Sequence, residues 1–265
     1  TKSITLIGQG YASANGARLI HFNNLAIEAE NVTLDRLCLG TLYVRDYNAT
    51  VKNSFVSQTI EEEATYSADD VVIQSCYLSG GILLEDYENW TIKNSIILGT
   101  SHQFSNATVD HNVIYVTDQT GSIDVNSSTL TNNIIFHAQG LYDTGGFIEC
   151  YDESTISNNV VNDSSITGDF PGNLFTSVSE VCRCTGSILD ETYWLLAVGS
   201  PAKGYATDGS DCGPWGGDTP YLLGGIEMPS PEDDFQVEPN DLLALKNMYQ
   251  EWDGEHWTAK QWSFA

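Results

Sequence analysis

The residues best suited to chemistry in this sequence are carboxylates, which number 36 against 10 Lys and Arg. Two of them, Asp208 and Asp211, stand in a Gly-rich stretch that covers residues 207–217. Carboxylates and loop carbonyls together supply the oxygen ligands that Ca²⁺ prefers. A tight Asp-Gly turn explains the same residues equally well. The sequence therefore leaves two interpretations of Asp208 and Asp211 open, a calcium site or a plain turn, and it suggests no other cofactor.

The strongly acidic composition limits the partners of the chain, because the formal net charge is −26. Nucleic-acid binding requires a basic footprint, and anionic membrane surfaces repel an acidic chain unless a divalent ion bridges the two. No apolar stretch reaches the length of a transmembrane helix. We expect neither a nucleic-acid partner nor membrane insertion, which leaves extracellular glycans and other copies of the chain as candidate partners.

Five of the six cysteines fall into two groups, and Cys150 belongs to neither. Cys38 and Cys76 lie inside repeated, apolar units and are expected to be buried. Cys182, Cys184 and Cys212 lie in an irregular region, where a disulfide from Cys212 to Cys182 or Cys184 would be typical of an exported protein. The sequence does not determine that connectivity. A Cys-x-Cys pair with one further Cys and no nearby His is only a weak zinc signal.

A repeated unit must position most of these side chains. Its clearest copy is residues 91–97, Thr-Ile-Lys-Asn-Ser-Ile-Ile. The first apolar residue of the unit recurs at Leu34, Val51, Ile73, Ile92, Val109, Leu130 and Ile156, in steps of 17 to 26 residues. A period near 20 is typical of a solenoid, and alternating apolar and polar positions rich in Val, Ile and Thr favour strands. The sequence predicts an all-β fold, a parallel β-helix.

Four Asn residues share one phase of this unit: Asn53, Asn94, Asn132 and Asn158. Residues of equal phase lie directly above one another, about 4.8 Å apart, in a stack of parallel strands. A side-chain amide both donates and accepts hydrogen bonds, so stacked amides can bond along the column. We predict a structural ladder at these four positions, with no ligand.

Six Asn-x-Ser/Thr triplets begin at Asn31, Asn48, Asn89, Asn106, Asn126 and Asn162. These positions are candidate glycosylation sites. The first five precede a repeat strand, where Asn suits a corner and Thr suits the start of a strand. The geometry of the repeat therefore explains the triplets without any glycan.

The composition divides the chain into three parts. Residues 1–219 are predicted to form the β-helix, and residues 220–240 an acidic linker that contains Pro. Residues 241–265 are predicted to form a helical, Trp-rich tail that begins after a capping Asn240-Asp241 pair. Its apolar residues are too many to leave in water: Leu242, Leu245, Trp252, Trp257 and Trp262.

Beyond the repeats, a resemblance to a known class emerges. Gly199-Ser200-Pro201-Ala202, followed by Asp208-Gly209 and the pair Gly216-Gly217, resembles the closing motif of exported bacterial right-handed parallel β-helix proteins of the pectate-lyase-like superfamily. The opening strand is similar to the first coil of surface β-helix proteins of Bacteroidetes type. The tail resembles the N-terminal cap of bacterial leucine-rich-repeat domains. The resemblance implies a right-handed coil in a secreted or cell-surface protein.

The same resemblance makes polysaccharide lyases and hydrolases candidate activities. Lys52 and Lys93 are the obvious candidates for a lyase base. However, stacking places them beside Asp35 and Asp110, which favours a surface charge ladder. A hydrolase needs converging carboxylates, and the pair Asp69-Asp70 stands alone. The five His residues show no spacing typical of a metal site or of a nucleophilic triad.

These observations favour a non-catalytic, extracellular β-helix that serves as a surface, adhesion or fibre-forming protein. Head-to-tail assembly, with the tail covering the exposed end of the next copy, is a further hypothesis. The alternative is a carbohydrate-active enzyme or a glycan-binding module on the same fold, since this fold serves many functions.

Overall fold

The computed structural model describes residues 3–8, 21–62, 68–84, 89–138, 146–151, 153–221 and 223. Its strands follow one another along the chain as β1 (Ile4–Ile7), β2 (His21–Ile27), β3 (Val32–Asp35), β4 (Cys38–Val44), β5 (Thr50–Lys52), β6 (Phe55–Val56), β7 (Ile60–Glu62), β8 (Val72–Gln74), β9 (Tyr77–Leu78), β10 (Ile82–Leu83), β11 (Trp90–Lys93), β12 (Ile96–Gly99), β13 (His102–Ser105), β14 (Ala107–Asp110), β15 (Val113–Val116), β16 (Ile123–Asn126), β17 (Thr129–Thr131), β18 (Ile134–His137), β19 (Ile148–Tyr151), β20 (Thr155–Ser157), β21 (Val160–Val161) and β22 (Leu174–Phe175). Helices α1 (Ser164–Asp169) and α2 (Val178–Val181) and a 3₁₀ turn (Glu191–Trp194) are short.

The strands form a parallel β-solenoid with three faces. Face A is an eight-stranded sheet in the order β1-β3-β5-β8-β11-β14-β17-β20. Face B runs β6-β9-β12-β15-β18-β21-β22, and face C runs β7-β10-β13-β16-β19. Both join at β4, whose first half pairs with β6 and whose second half pairs with β7. Each pairing between strands of these faces is parallel, which confirms the predicted fold class.

The register of face A follows the sequence repeat. Leu34 pairs with Val51 and Ile92 pairs with Val109, so the apolar anchors of successive units stack inside the coil. Val51, Ile92 and Val109 have no exposed surface. The flanking positions point outward, since strand side chains alternate between two faces. The core is thus a column of aliphatic side chains.

The corners between strands are formed by residues with positive φ. The corners before face A include Asn48 (56°), Asn89 (65°) and Asn106 (49°), and the corners after face A include Asn53 (49°) and Asn132 (59°). Asn tolerates this left-handed region better than most residues do. The recurring Asn residues are therefore explained first by the backbone, as the corner interpretation of the triplets predicted.

The amide ladder lies one residue later than we predicted. Asn112 Nδ2 donates to Asn133 Oδ1, and Asn133 Nδ2 donates to Asn159 Oδ1, both at 3.0 Å. Asn159 continues the ladder to Asn173 in the same way, and Ser95 extends it on the other side, since its N–H donates to Asn112 Oδ1. Each residue of the predicted ladder comes one position before a residue of the observed column, because its left-handed corner turns its side chain outward. These residues are Asn53, Asn94, Asn132 and Asn158.

Glycines allow close contact where face B turns into face C. A Cβ on Gly40 would lie 1.9 Å from the carbonyl oxygen of Asn23, and one on Gly121 would lie 1.7 Å from that of Thr100. No side chain fits at such distances, so successive coils require glycine there.

Face B is buried on both sides. Its inward residues, such as Ile97 and Ile135, belong to the inner column. Its outward residues form a second apolar cluster with the segment that follows β22. Trp194 and Cys212 of that segment are fully buried in this cluster. We refer to residues 178–221 as the covering segment.

The chain divides into two units, Thr1–Glu227 and Met228–Ala265. The faces and the covering segment belong to the first unit. The predicted tail, with Leu242, Leu245, Trp252, Trp257 and Trp262, lies outside the described residues, as does nearly all of the predicted linker. The proposed boundaries of linker and tail stay predictions.

Candidate functional site

Corner residues that follow face A fasten the covering segment to the coil. Asn94 Nδ2 donates to Gly216 O at 2.7 Å, and Thr219 Oγ1 donates to Asn94 Oδ1 at 3.1 Å. On a later coil, Thr207 N donates to Asn132 Oδ1 at 2.9 Å, and Asn132 Nδ2 lies 3.1 Å from Thr207 Oγ1. These outward amides act as latches for the covering segment, which is a different role from the predicted ladder.

Between these two latches, the coil and the covering segment bring together a carboxylate, an imidazole and a hydroxyl. His111 Nδ1 lies 2.9 Å from Asp110 Oδ2, and His111 Nε2 lies 3.1 Å from Ser210 Oγ. Asp110 is the last residue of β14, and His111 is the left-handed corner after it, with φ of 54°. Ser210 belongs to the Asp-Gly turn of the covering segment. We call these three residues the corner site.

The Asp110 carboxylate is held in place from several sides. Its Oδ1 accepts hydrogen bonds from Thr131 Oγ1 at 3.0 Å and from Asn132 Nδ2 at 2.8 Å. Burial alone would raise the pKa of Asp110, but the hydrogen bond and charge of His111, with the bonds from Asn132 and Thr131, outweigh burial and hold that pKa below its ordinary value. An ionised carboxylate only accepts hydrogen bonds, so Nδ1 of His111 carries a hydrogen and donates a hydrogen bond to Asp110.

The hydroxyl of Ser210 has a defined orientation. Its oxygen accepts a hydrogen bond from Gly217 N at 2.9 Å. Two acceptors compete for its proton, His111 Nε2 at 3.1 Å and Asp211 O at 3.5 Å. The shorter distance favours Nε2, because hydrogen bonds weaken with length. The corner site thus has the bonding order carboxylate, imidazole, hydroxyl.

Two glycines bring backbone, with no side chain, close to the hydroxyl and the imidazole. A Cβ on Gly216 would lie 2.8 Å from Ser210 Oγ and 1.8 Å from Asp211 O, and a Cβ on Gly217 would lie 3.4 Å from the His111 ring. Ser210 is partly exposed while His111 is buried. The geometry therefore places a partly exposed serine against a buried imidazole.

Residue spacing did not indicate this arrangement. The two ring nitrogens of His111 contact Asp110 and Ser210. Ser210 lies 99 residues away from His111. No local spacing could reveal that contact, because it depends on where the covering segment docks.

Lys52 on face A supports the interpretation of a surface charge ladder. Lys52 Nζ lies 3.6 Å from Asp35 Oδ2, as stacking predicted. Its side chain is 40% exposed, and an exposed pair of this kind contributes about 0–1 kcal/mol. This pairing gives Lys52 the role of a surface charge.

Asp208 and Asp211 each accept a hydrogen bond from a backbone N–H of the covering segment. Asp208 Oδ1 accepts a hydrogen bond from Ser210 N, and Asp211 Oδ1 accepts one from Gly204 N, both at 2.9 Å. Across the described part of the chain, no group of three or more His, Cys, Asp or Glu side chains is arranged to hold a metal ion. The two carboxylates fit the turn interpretation, and Ca²⁺ binding stays a prediction.

The three cysteines predicted to form a disulfide are free thiols in the structure. Cys212 Sγ donates to Asn158 O at 3.4 Å, and Cys184 Sγ donates to Val178 O at 3.6 Å. Burial, followed by the charge of Cys184, raises the pKa of Cys182. Burial, with the nearby Asp211, Asp110 and Asp208 charges, raises the pKa of Cys212 to about 12. In the structure these thiols take part in apolar packing and hydrogen bonding, and a disulfide among them stays a prediction.

The six candidate glycosylation sites differ in access. Asn48, Asn89 and Asn106 are exposed, and Asn31 and Asn126 are partly exposed. Asn162 is fully buried, and its amide bonds the backbone of His137 with both the oxygen and the nitrogen. The structure therefore removes Asn162 from the candidates and leaves glycosylation at the other five as a prediction.

Face C carries a second group of polar residues. Asp124 and Glu149 pair in register on neighbouring strands, and the hydroxyl of Tyr151 donates to Glu149 Oε2. Ser122 Oγ donates to Asp124 Oδ1 at 3.1 Å. Two carboxylates beside a half-exposed aromatic ring offer the polar and stacking contacts that a sugar uses.

No described helix has the length and apolar character needed to cross a bilayer. The sequence matches no family model and no characterised protein at a significant level.

Proposed function

We propose that this chain is an extracellular structural protein of a cell surface or a fibre, built as a β-solenoid column, and not a polysaccharide lyase or hydrolase. The observation that carries this proposal is the continuous register of face A, in which eight strands stack in parallel. A stack of this kind passes load from strand to strand through its backbone ladder. The net charge of −26 supports a soluble, extended surface.

Exposed apolar surface at one end of face A supports head-to-tail assembly. All four residues of β1 are exposed, with Ile4 at 54%, Leu6 at 39% and Ile7 at 62%. In β proteins, the edge strands of a sheet are usually paired or covered, and so are their apolar side chains. A contact between unlike ends that does not close produces a filament. The sequence of the Trp-rich tail supplies the apolar residues that would cover such an end.

Removing the second unit tests the assembly. The full chain and a variant without Met228–Ala265 are compared by light scattering over a range of concentrations and by electron microscopy of particle length. We expect the full chain to lengthen with concentration and the truncated chain to stay monomeric. Tyr221, which packs edge-on against Trp215, is retained in both. A full chain that stays monomeric at high concentration refutes head-to-tail assembly.

The alternative function, glycan binding or processing, is favoured by the group on face C. Asp124, Glu149 and Tyr151 line adjacent strands, and Tyr151 is 50% exposed. Aromatic rings bind sugars through their apolar faces, and a carboxylate pair supplies hydrogen bonds or acid-base chemistry.

Affinity electrophoresis in gels that contain neutral or uronic-acid glycans tests this alternative. A glycan-binding face C predicts retarded migration that is lost on Tyr151→Ala and kept on Tyr47→Ala, since Tyr47 is a comparably exposed tyrosine (40%) outside that group. Equal migration of the wild type with and without every glycan would remove the alternative.

A further inference from the structure

The corner site is not needed for a structural column, and its geometry supports an activity beyond the proposed function. We propose that Ser210 and His111 form a serine hydrolase site for esters of small, neutral acyl groups, with Asp110 as the positioning residue. Triads are defined by geometry and roles, and they occur on unrelated folds with different chain orders.

The distances meet the requirements of the three roles. The nucleophile and the base are within hydrogen-bonding reach, with Ser210 Oγ 3.1 Å from His111 Nε2. The base is oriented by a carboxylate, with Asp110 Oδ2 2.9 Å from His111 Nδ1. The contacts from Thr131 and Asn132 keep the carboxylate in place. Its hydrogen bond with Nδ1–H leaves Nε2 of the imidazole free to accept a proton.

The chemical step balances within these groups. As Ser210 Oγ forms a bond to the ester carbonyl carbon, its proton moves to His111 Nε2 and the carbonyl π electrons move to oxygen. The N–H of Gly217 donates to Oγ at 2.9 Å in the free site, and we assign it to that oxyanion once Oγ has formed its bond to carbon. Collapse breaks the bond to the alcohol, which leaves with the proton from Nε2. Water then attacks the acyl-Ser210 with His111 as base, and the acid and the free serine are released.

The surroundings favour a small, uncharged acyl group. Gly216 and Gly217 contribute no side chains beside the hydroxyl, and their backbone lies close to Ser210 and His111. This close backbone leaves little room on that side, so the acyl group must be short and the larger alcohol must lie on the exposed side of Ser210. Asp208 Oδ1 lies 3.9 Å from His111 Nε2 and is exposed, so a carboxylate on the substrate would be repelled.

A fluorophosphonate probe tests the nucleophile directly. Ser210 Oγ forms a bond to phosphorus, fluoride leaves, and the hydroxyl proton moves to His111. The full chain is incubated with the probe, digested and mapped by mass spectrometry. We expect the label on Ser210 and none on Ser187, an exposed serine of the same covering segment. Absence of label on Ser210, or equal labelling of both serines, overturns the proposal.

Hydrolysis of p-nitrophenyl acetate tests turnover. We expect Ser210→Ala and His111→Gln to lower kcat roughly 100-fold or more, in line with the usual contribution of a general base, while Ser187→Ala leaves it unchanged. Asp110→Asn should lower kcat and leave KM in place, since it misorients the base without touching the ester. Circular dichroism confirms folding of each variant. Hydrolysis by Ser210→Ala at the wild-type rate overturns the proposal, as does an Asp110→Asn effect confined to KM.

Discussion

Replacing Asn133 with Leu tests the internal ladder, because Leu has a similar volume and no hydrogen-bonding groups. Asn133 has no exposed surface. Its Oδ1 accepts from Asn112 N at 2.8 Å and from Asn112 Nδ2 at 3.0 Å, and its Nδ2 donates to Val109 O at 2.9 Å and to Asn159 Oδ1 at 3.0 Å. The substitution removes all four bonds from the interior of the coil.

The bonds that remain determine the magnitude. Asn112 Nδ2 keeps Ile92 O and Asp110 O, and Asn159 Oδ1 keeps the N–H of residue 133. The N–H of Asn112 is left without a partner, which costs about 1–3 kcal/mol for a buried donor. With the lost amide bonds, we expect the free energy of unfolding to fall by about 2–4 kcal/mol.

Urea unfolding followed by circular dichroism measures that change. The matched control is Asn53→Gly, in the column that we first predicted to be the ladder. Asn53 donates to Asp35 at 2.9 Å in a partly buried position and has φ of 49°. Glycine adopts that φ without strain, so we expect a loss of only about 1 kcal/mol or less. A control as costly as Asn133→Leu would refute the assignment of the ladder.

Three further outcomes follow from the structure. Burial lowers the pKa of His102 from 6.5 to about 4, so the unfolded chain takes up a proton at a higher pH than the folded chain does. The free energy of unfolding should therefore fall by about 3 kcal/mol as the pH drops from 6.5 to 4. Urea titrations at each pH should show a smaller fall for His102→Phe. Gly121→Ala should lower the melting temperature more than Gly209→Ala. A Cβ at residue 121 meets Thr100 O at 1.7 Å, whereas a Cβ at residue 209 meets nothing within 4 Å and costs only the strain of a φ of 81°. Equal shifts would contradict the close contact at Gly121. In a secretory host that glycosylates proteins, peptide mapping should find Asn162 unmodified because it is buried, and a glycan there would show that this coil is open.

The repeat made the fold predictable. Apolar anchors such as Val51, Ile92 and Val109 recur with strand periodicity, and parallel stacking is the arrangement that buries them all. The sequence does not say which of two adjacent polar residues faces inward. At Asn132-Asn133, the left-handed corner at the first residue reverses the alternation, and the second residue therefore enters the ladder.

The covering segment and the corner site were harder to predict, since both depend on long-range docking. One local signal was present: the unit ends in two consecutive apolar residues, as in Ile96-Ile97, and both are buried. This double burial indicates that face B is covered on its outer side. Nothing comparable marks Ser210 as the partner of His111, because the covering segment is irregular and carries no repeat.

The choice between a structural column and a glycan-processing enzyme is decided by product release. The full chain is incubated with pectins and other uronic-acid glycans, with and without Ca²⁺, and new reducing ends and unsaturated uronates are measured. A structural protein predicts no release above that of a heat-denatured sample. Release that is lost on Glu149→Gln or Lys93→Ala would contradict the structural assignment and identify face C or face A as the catalytic surface.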